Sequence, residues 1–290
     1  MDNMKMSLFT ALLPELDMEG IAETASSLGF DGLELRVCDL TKEMKAKGVS
    51  FWGEHKNDIG VKNFAEKIPE IRKACDKYAL EIPVLATYCM TFERELIAEL
   101  AVNMELLGVR VFRVRPPWFL RPETLDPDFK ELSRQTAKDM EFIVRLCEKH
   151  NLRACVETHM NSIAPSAALA LKLVERFDPK YAGVIYDPGN TMQEGSENLR
   201  LSLQMLGSYL AHVHVKNTRW NEEGKRQDGT VIYKPGMAKL NEGFLDLKQA
   251  FDELKLAGYN GWLSVEDFTV KDNKKECLKF DIDYIKRLWN

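Results

Sequence analysis

Four short apolar runs in the C-terminal half of the chain end in polar residues with chemical potential: Val156-Glu157-Thr158-His159, Tyr186-Asp187-Pro188-Gly189-Asn190, His212-Val213-His214-Val215-Lys216-Asn217 and Ser264-Val265-Glu266-Asp267. If each run is a strand, alternation sends Val156, Tyr186, Val213, Val215 and Val265 to one face and Glu157, Asp187, His214 and Glu266 to the other. Three carboxylates brought that close repel one another, and at least one must hold its proton more tightly unless a cation sits among them. One divalent ion resolves the repulsion. Three oxygen donors with one imidazole suit Mn2+ best, with Mg2+, Co2+ and Zn2+ as alternatives. The competing expectation is a private structural role for each residue, such as Asp187 capping a helix or Glu266 pairing with an arginine. Four strand ends of this kind favour a shared site.

Further candidates surround these four. His212 shares the inward face with His214 but lies two residues deeper, so it either packs behind the site or touches it directly. His159 and Lys216 stand just beyond strand ends, where they would meet substrate hydroxyl or carbonyl oxygens or face solvent. Arg113, Arg115 and Glu34 fall at other strand ends, as substrate contacts or as ion pairs within the fold. Trp52 and Trp118 offer an apolar wall for a sugar ring, or simple packing.

The elements that must position these residues follow a regular rhythm. Short β-rich runs at 7–12, 32–37, 82–87, 109–114, 154–157, 182–187, 211–215 and 262–266 alternate with segments of helical period such as 63–78, 135–150, 166–177 and 245–256. Eight such units in 290 residues predict an α/β fold, a single (β/α)8 TIM barrel over residues 1–290. In such barrels the carboxyl ends of the strands form the active face, so the four polar ends converge there. Two stretches, 38–60 and 217–243, exceed what a connection needs and are expected as long loops over that face.

Composition narrows the partners. A formal charge of −5, with 45% hydrophobic and 29% charged residues, describes an ordinary globular chain without the positive field that a nucleic-acid binder uses. No run approaches the roughly 18 apolar residues that span a bilayer. The apolar run at 6–13, followed by Pro14, Glu15 and Asp17, reads as a first strand and not as a signal peptide. Six scattered cysteines, none in a Cys-x-x-Cys pair, are expected as reduced buried thiols in a cytoplasmic protein.

With these residues in view, the chain resembles the xylose-isomerase-like TIM barrel superfamily of sugar phosphate isomerases and epimerases, the AP endonuclease 2-like group that also contains endonuclease IV. The resemblance runs from Ser7 nearly to the C-terminus. It is carried by Cys155-Val156-Glu157, the Asp-Pro-Gly-Asn from Asp187, the His-x-His-Val-Lys-Asn from His212, Glu242-Gly243-Phe244-Leu245-Asp246, and the run from Gly258 to Glu266. It implies one divalent metal held by Glu157, Asp187, His214 and Glu266, with the two glutamates as the acid/base pair. The implied activity is a metal-dependent sugar or polyol isomerase or epimerase working by proton transfer through an enediolate. His159, Lys216, Asn190, Arg115, Glu34 and His212 are the expected substrate contacts around that centre. Asn190 stands where many epimerases have a histidine, and Arg219 only loosely matches an arginine after strand seven. The five histidines are too few for the three-metal cluster of endonuclease IV. Two other readings remain open: a dehydratase of a keto-sugar or keto-inositol, and a non-catalytic sugar-binding barrel. No glycine-rich phosphate cradle is present, which points to an unphosphorylated small molecule. Homo-oligomerisation is left open.

Overall fold

The computed structural model describes residues 4–119, 128–270 and 272–290. Among these, the strands are β1 (Lys5–Phe9), β2 (Gly32–Val37), β3 (Leu85–Thr87), β4 (Val111–Val114), β5 (Arg153–Glu157), β6 (Ala182–Tyr186), β7 (Leu210–Val215), β8 (Asn217–Lys225), β9 (Val231–Ala238) and β10 (Trp262–Val265). The helices are α1 (Met18–Leu28), α2 (Lys42–Lys45), α3 (Phe64–Tyr78), α4 (Arg94–Leu107), α5 (Phe129–His150), α6 (Ala167–Val174), α7 (Pro188–Glu194), α8 (Leu199–Leu206), α9 (Leu247–Leu256) and α10 (Lys274–Trp289).

Eight strands close into a parallel barrel in the order β1-β10-β7-β6-β5-β4-β3-β2, and β1 pairs with both β10 and β2 to seal it. The chain is a single (β/α)8 TIM barrel. Each strand buries its outward residues under the helices; Val156, Tyr186, Val213 and Val265 all belong to that continuous core. Inside the barrel, Val84, Cys155 and Ile185 form a separate small cluster. Cys155 and Ile185 lie two residues before Glu157 and Asp187 on the same inward faces, so they floor the space beneath those carboxylates.

Local sequence explains the boundaries. The helices α1 and α4 stop at Gly29 (φ 89°) and Gly108 (φ 86°), left-handed positions that glycine adopts without strain. The helix expected over 135–150 begins six residues earlier, at Phe129, because the Asp128 carboxylate accepts from the Lys130 and Glu131 N–H groups and caps it. The first strand ends at Phe9, and Thr10–Leu12 turn into a short 3-10 helix. The stretch expected as a long loop at 217–243 is instead mostly an antiparallel hairpin, with β8 paired to β9 from Asn217–Ala238 to Lys225–Val231. All six cysteines are free thiols. No helix among the described residues is long and apolar enough to cross a membrane.

Candidate metal centre

Each of the four sequence-selected residues ends its strand pointing inward, and all are buried. Pairing of Ser264 with His214 and of Glu157 with Ile185 aligns the ends of β10, β7, β6 and β5 at one level. One ligand atom from each of Glu157, Asp187, His214 and Glu266 lies within 4.8 Å of the others. The imidazole is central. Its Nδ1 faces Glu157 Oε1 at 3.1 Å, Asp187 Oδ2 at 3.5 Å and Glu266 Oε1 at 3.5 Å. A ring nitrogen carries at most one proton, so it cannot satisfy three acceptors.

Asp187 has both roles considered for it. Its Oδ1 accepts from the Asn190 N–H at 2.8 Å and caps α7, with Pro188 in the first turn, while Oδ2 is left for the site. Gly189 completes this motif, because a Cβ there would lie 2.4 Å from Lys216 Cγ and 2.8 Å from the Lys216 carbonyl oxygen. Only glycine lets the start of α7 close against the end of β7.

The charges are distributed unevenly. Burial works against ionisation of Glu157, but Arg113 and His214 outweigh it and hold its carboxyl well below the usual range. The Arg113 Nη1 donates to Glu157 Oε2 at 2.6 Å, and both side chains are buried. Glu266 goes the other way: burial pushes its carboxyl up, despite His214 and Lys216. Desolvation opposes the charged form of His214, yet Glu266 and Glu34 hold it well above the ordinary imidazole range.

Around this centre the remaining candidates take definite places. Lys216 is 3% exposed, so it is no solvated rim lysine. Its Nζ lies 2.9 Å from Asp187 Oδ2, 2.7 Å from Glu266 Oε2 and 3.2 Å from Asn190 Oδ1. Asn190 Nδ2 in turn donates to Glu157 Oε1 and the Thr158 carbonyl, both at 3.2 Å. Behind the imidazole, Glu34 bridges two histidines: Oε1 meets His214 Nε2 at 3.1 Å and Oε2 meets His212 Nε2 at 3.0 Å. His212 therefore packs behind His214 within this chain. His159 Nδ1 lies 2.8 Å from the Met160 carbonyl, its ring edge-on to Trp118 at 5.1 Å, and burial lowers its proton affinity. Trp52 stacks at a tilt on Phe268, 4.5 Å between centroids.

Arg113 and Arg115 flank Tyr88 with Arg36, on the side of the mouth opposite the carboxylates. Tyr88 and Arg36 did not emerge as site candidates from sequence. One signal was available: Arg36 lies two residues after Glu34 and shares its inward face.

A family model described as xylose isomerase-like TIM barrel matches residues 22–288. The chain belongs to that family. Among curated relatives, an inosose dehydratase of Lactiplantibacillus plantarum is 26% identical over 58% of this chain and 56% of its own length. An inosose dehydratase of Geobacillus thermodenitrificans is 30% identical over 33% of each chain. The chain thus spans about half the length, or less, of these two relatives. A 3-dehydroshikimate dehydratase of Bacillus anthracis is 22% identical over 81% of this chain and 85% of its own. Among solved structures, the 3-keto-D-glucoside 4-epimerase of E. coli superposes with a TM-score of 0.73 at 15% identity, covering 98% of this chain and 100% of that one. The D-psicose 3-epimerase of Clostridium cellulolyticum gives 0.70 at 14%, covering 99% and 100%. At these identities the structural likeness establishes the barrel, and the relatives' names include both epimerases and dehydratases.

Proposed function

We propose that this xylose isomerase-like barrel is a divalent-metal-dependent enzyme that moves a proton beside a carbonyl group of a sugar or cyclic polyol. The carrying observation is the single imidazole nitrogen facing three carboxylate oxygens. Two of those oxygens, Asp187 Oδ2 and Glu266 Oε1, are buried without a hydrogen-bond partner among the described residues. Lys216 Nζ, 2.9 Å from Asp187 Oδ2 and 2.7 Å from Glu266 Oε2, balances part of this negative charge, but one ammonium and one imidazole nitrogen face three carboxylates. Oxygen lone pairs aimed at one point, with one imidazole, fit a hard or borderline dication such as Mn2+.

Glu157, Asp187, His214 and Glu266 would hold the ion, and Glu34 would fix the proton on His214 Nε2 so that Nδ1 offers its lone pair, as carboxylates behind metal-ligating histidines commonly do. Bound there, a dication supplies Lewis acidity to adjacent substrate oxygens and acidifies the C–H between them. The two glutamates stand at the ends of the strand arc β10-β7-β6-β5 and flank whatever lies between. Arg113 favours the anion of Glu157, which suits a base, while burial raises the proton affinity of Glu266, which suits an acid. Lys216 would meet a substrate oxygen only by exchanging one of its contacts with Asp187, Glu266 or Asn190, Asn190 holds Glu157 in place with its amide, His159 stands at the rim, and Arg115 would bind from the opposite wall. Glu34 and His212 support from behind.

If Glu266 returns a proton to carbon, the result is epimerisation or isomerisation, our leading reading. If it protonates a departing hydroxyl, water is lost. The dehydratase names among the sequence relatives favour keeping this second outcome. Incubation with Mn2+ and a panel of ketoses and keto-inositols in D2O separates them. Deuterium uptake without loss of water identifies isomerase chemistry, and loss of water identifies the lyase. Absence of both deuterium exchange and Mn2+ uptake by calorimetry would refute the proposal.

A further inference from the structure

The guanidiniums of Arg36, Arg113 and Arg115 lie 5.2, 5.4 and 3.7 Å from the centroid of one ring, that of Tyr88. Alternation explains how they meet: Arg36 on β2 and Arg113 on β4 point inward, Arg115 follows β4 on the same face, and Tyr88 follows β3 between them. Three like charges around one ring demand compensation. Among the described residues, the one carboxylate in ion-pair range of any of them is Glu157, on Arg113. Arg36 Nη2 donates to the Gly53 carbonyl at 3.1 Å, which is neutral.

Arg36 Nε, Arg113 Nη2, Arg115 Nε and the Tyr88 hydroxyl are buried atoms without a partner among the described residues. Cation–π attraction to Tyr88 helps each guanidinium, but it acts on the face of the ring and leaves the N–H groups unsatisfied. Burial and the neighbouring Arg113 also lower the proton affinity of Arg115, as expected for crowded cations. An oxyanion accepting from these N–H groups would cure the charge crowding and the orphaned donors together, and guanidinium forks match carboxylate and phosphate oxygens.

We propose that the β2–β4 side of the mouth is an anion subsite, and that the substrate is a sugar- or cyclitol-sized carbonyl compound bearing a terminal oxyanion, a carboxylate or a phosphate. Arg113 ties this subsite to the candidate metal centre: Nη1 holds Glu157, and Nη2 on the same planar group is free for the ligand. The substrate would present its adjacent oxygens to the carboxylate side and its anionic end to the arginines. This inference rests on the proposed function for the identity of the ligand, but the anion subsite is testable alone.

Calorimetric titration with quinate, glucose 6-phosphate and myo-inositol, each with Mn2+ present and again after chelation, separates the cases. We expect at least one anion to bind roughly tenfold or more tightly than neutral myo-inositol, as charge-assisted hydrogen bonds imply. Preference for quinate assigns a carboxylate, and preference for glucose 6-phosphate assigns a phosphate. Arg115→Gln should abolish the preference while leaving Mn2+ affinity unchanged, and Arg115→Lys, which keeps the charge but not the fork, should retain part of it. Equal binding of the three probes, binding of neither anion in either metal state, or an Arg115→Gln protein that keeps the preference would overturn the subsite. Loss of Mn2+ uptake with anion preference intact would instead count against the metal reading and leave the subsite standing.

Discussion

Strands β5, β6 and β10 bring carboxylate oxygens to one imidazole nitrogen on β7, whereas β2 and β4 bring guanidiniums around one tyrosine that follows β3. Asp187 Oδ2 and Glu266 Oε1 at the first centre are acceptors without a hydrogen-bond partner among the described residues, whereas Arg36 Nε, Arg113 Nη2 and Arg115 Nε around the tyrosine are donors without one. Unsatisfied buried groups cost stability, so each half is suited to a ligand of opposite character, a cation on one side and an anion on the other. Cross-pairing keeps the halves from separating into bare charges. Lys216 lies within the carboxylate side, and Arg113 reaches from the arginine side to Glu157. The mouth is therefore two polar sites sharing a wall, and substitutions on either side should fail differently.

The largest effect should come from the proton-transfer pair. Glu266→Gln and Glu157→Gln are each expected to lower turnover about a hundredfold to ten-thousandfold, the range for loss of a positioned acid or base. Deuterium exchange at the substrate carbon checks this, and an unchanged exchange rate in Glu266→Gln would remove that residue from the proton path. Next is the shared wall itself. Arg113→Met strands a buried Glu157 carboxylate, so the chelated protein should lose about 3–5 kcal/mol in urea denaturation, as for other broken buried pairs. Saturating Mn2+ should recover much of that loss; equal destabilisation in both states would mean that the two sides are not coupled through Glu157. Glu34→Gln should be milder, weakening Mn2+ binding about 10- to 100-fold, since the residue orients a ligand and does not supply one.

Sequence alone revealed the carboxylate side better than the arginine side, and the reason is geometric. Glu157, Asp187, His214 and Glu266 each interrupt an apolar strand end, and their strands are neighbours in the barrel, so alternation and topology were enough. The Glu34 contact with His212 joins residues 178 positions apart on strands that are not neighbours. No local spacing encodes a contact across the barrel. The arginine cluster was hidden for a related reason: its members look like separate ion-pair candidates until Tyr88, just past β3, brings them around one ring. The hairpin escaped because it has almost no buried face. Asn217, Thr218 and Ala238 at its base are buried while most of its length is half-buried or exposed, so the hydrophobic alternation that reveals a strand is missing.

The smallest effect, and the most discriminating, is in pH. Glu266 and Glu34 hold the proton on His214 well above its usual range in the metal-free protein, although burial opposes it. A raised imidazole contributes stability that is fully present below the unfolded value of about 6.5 and is lost as pH rises through the folded value. The chelated protein should therefore lose stability on moving from neutral to alkaline pH. A dication on Nδ1 must displace that proton, so binding should release about one proton at neutral pH and tighten about tenfold per pH unit while His214 is still protonated. Calorimetry in buffers of different ionisation enthalpy measures the release directly. The arginine side predicts no such dependence, since guanidiniums stay charged across this range. Anion affinity that is flat with pH, beside Mn2+ affinity that climbs, would mark the two sides as chemically separate. If no proton is released on Mn2+ uptake, His214 is not a ligand, and the carboxylate side owes its arrangement to Lys216 and Arg113 alone.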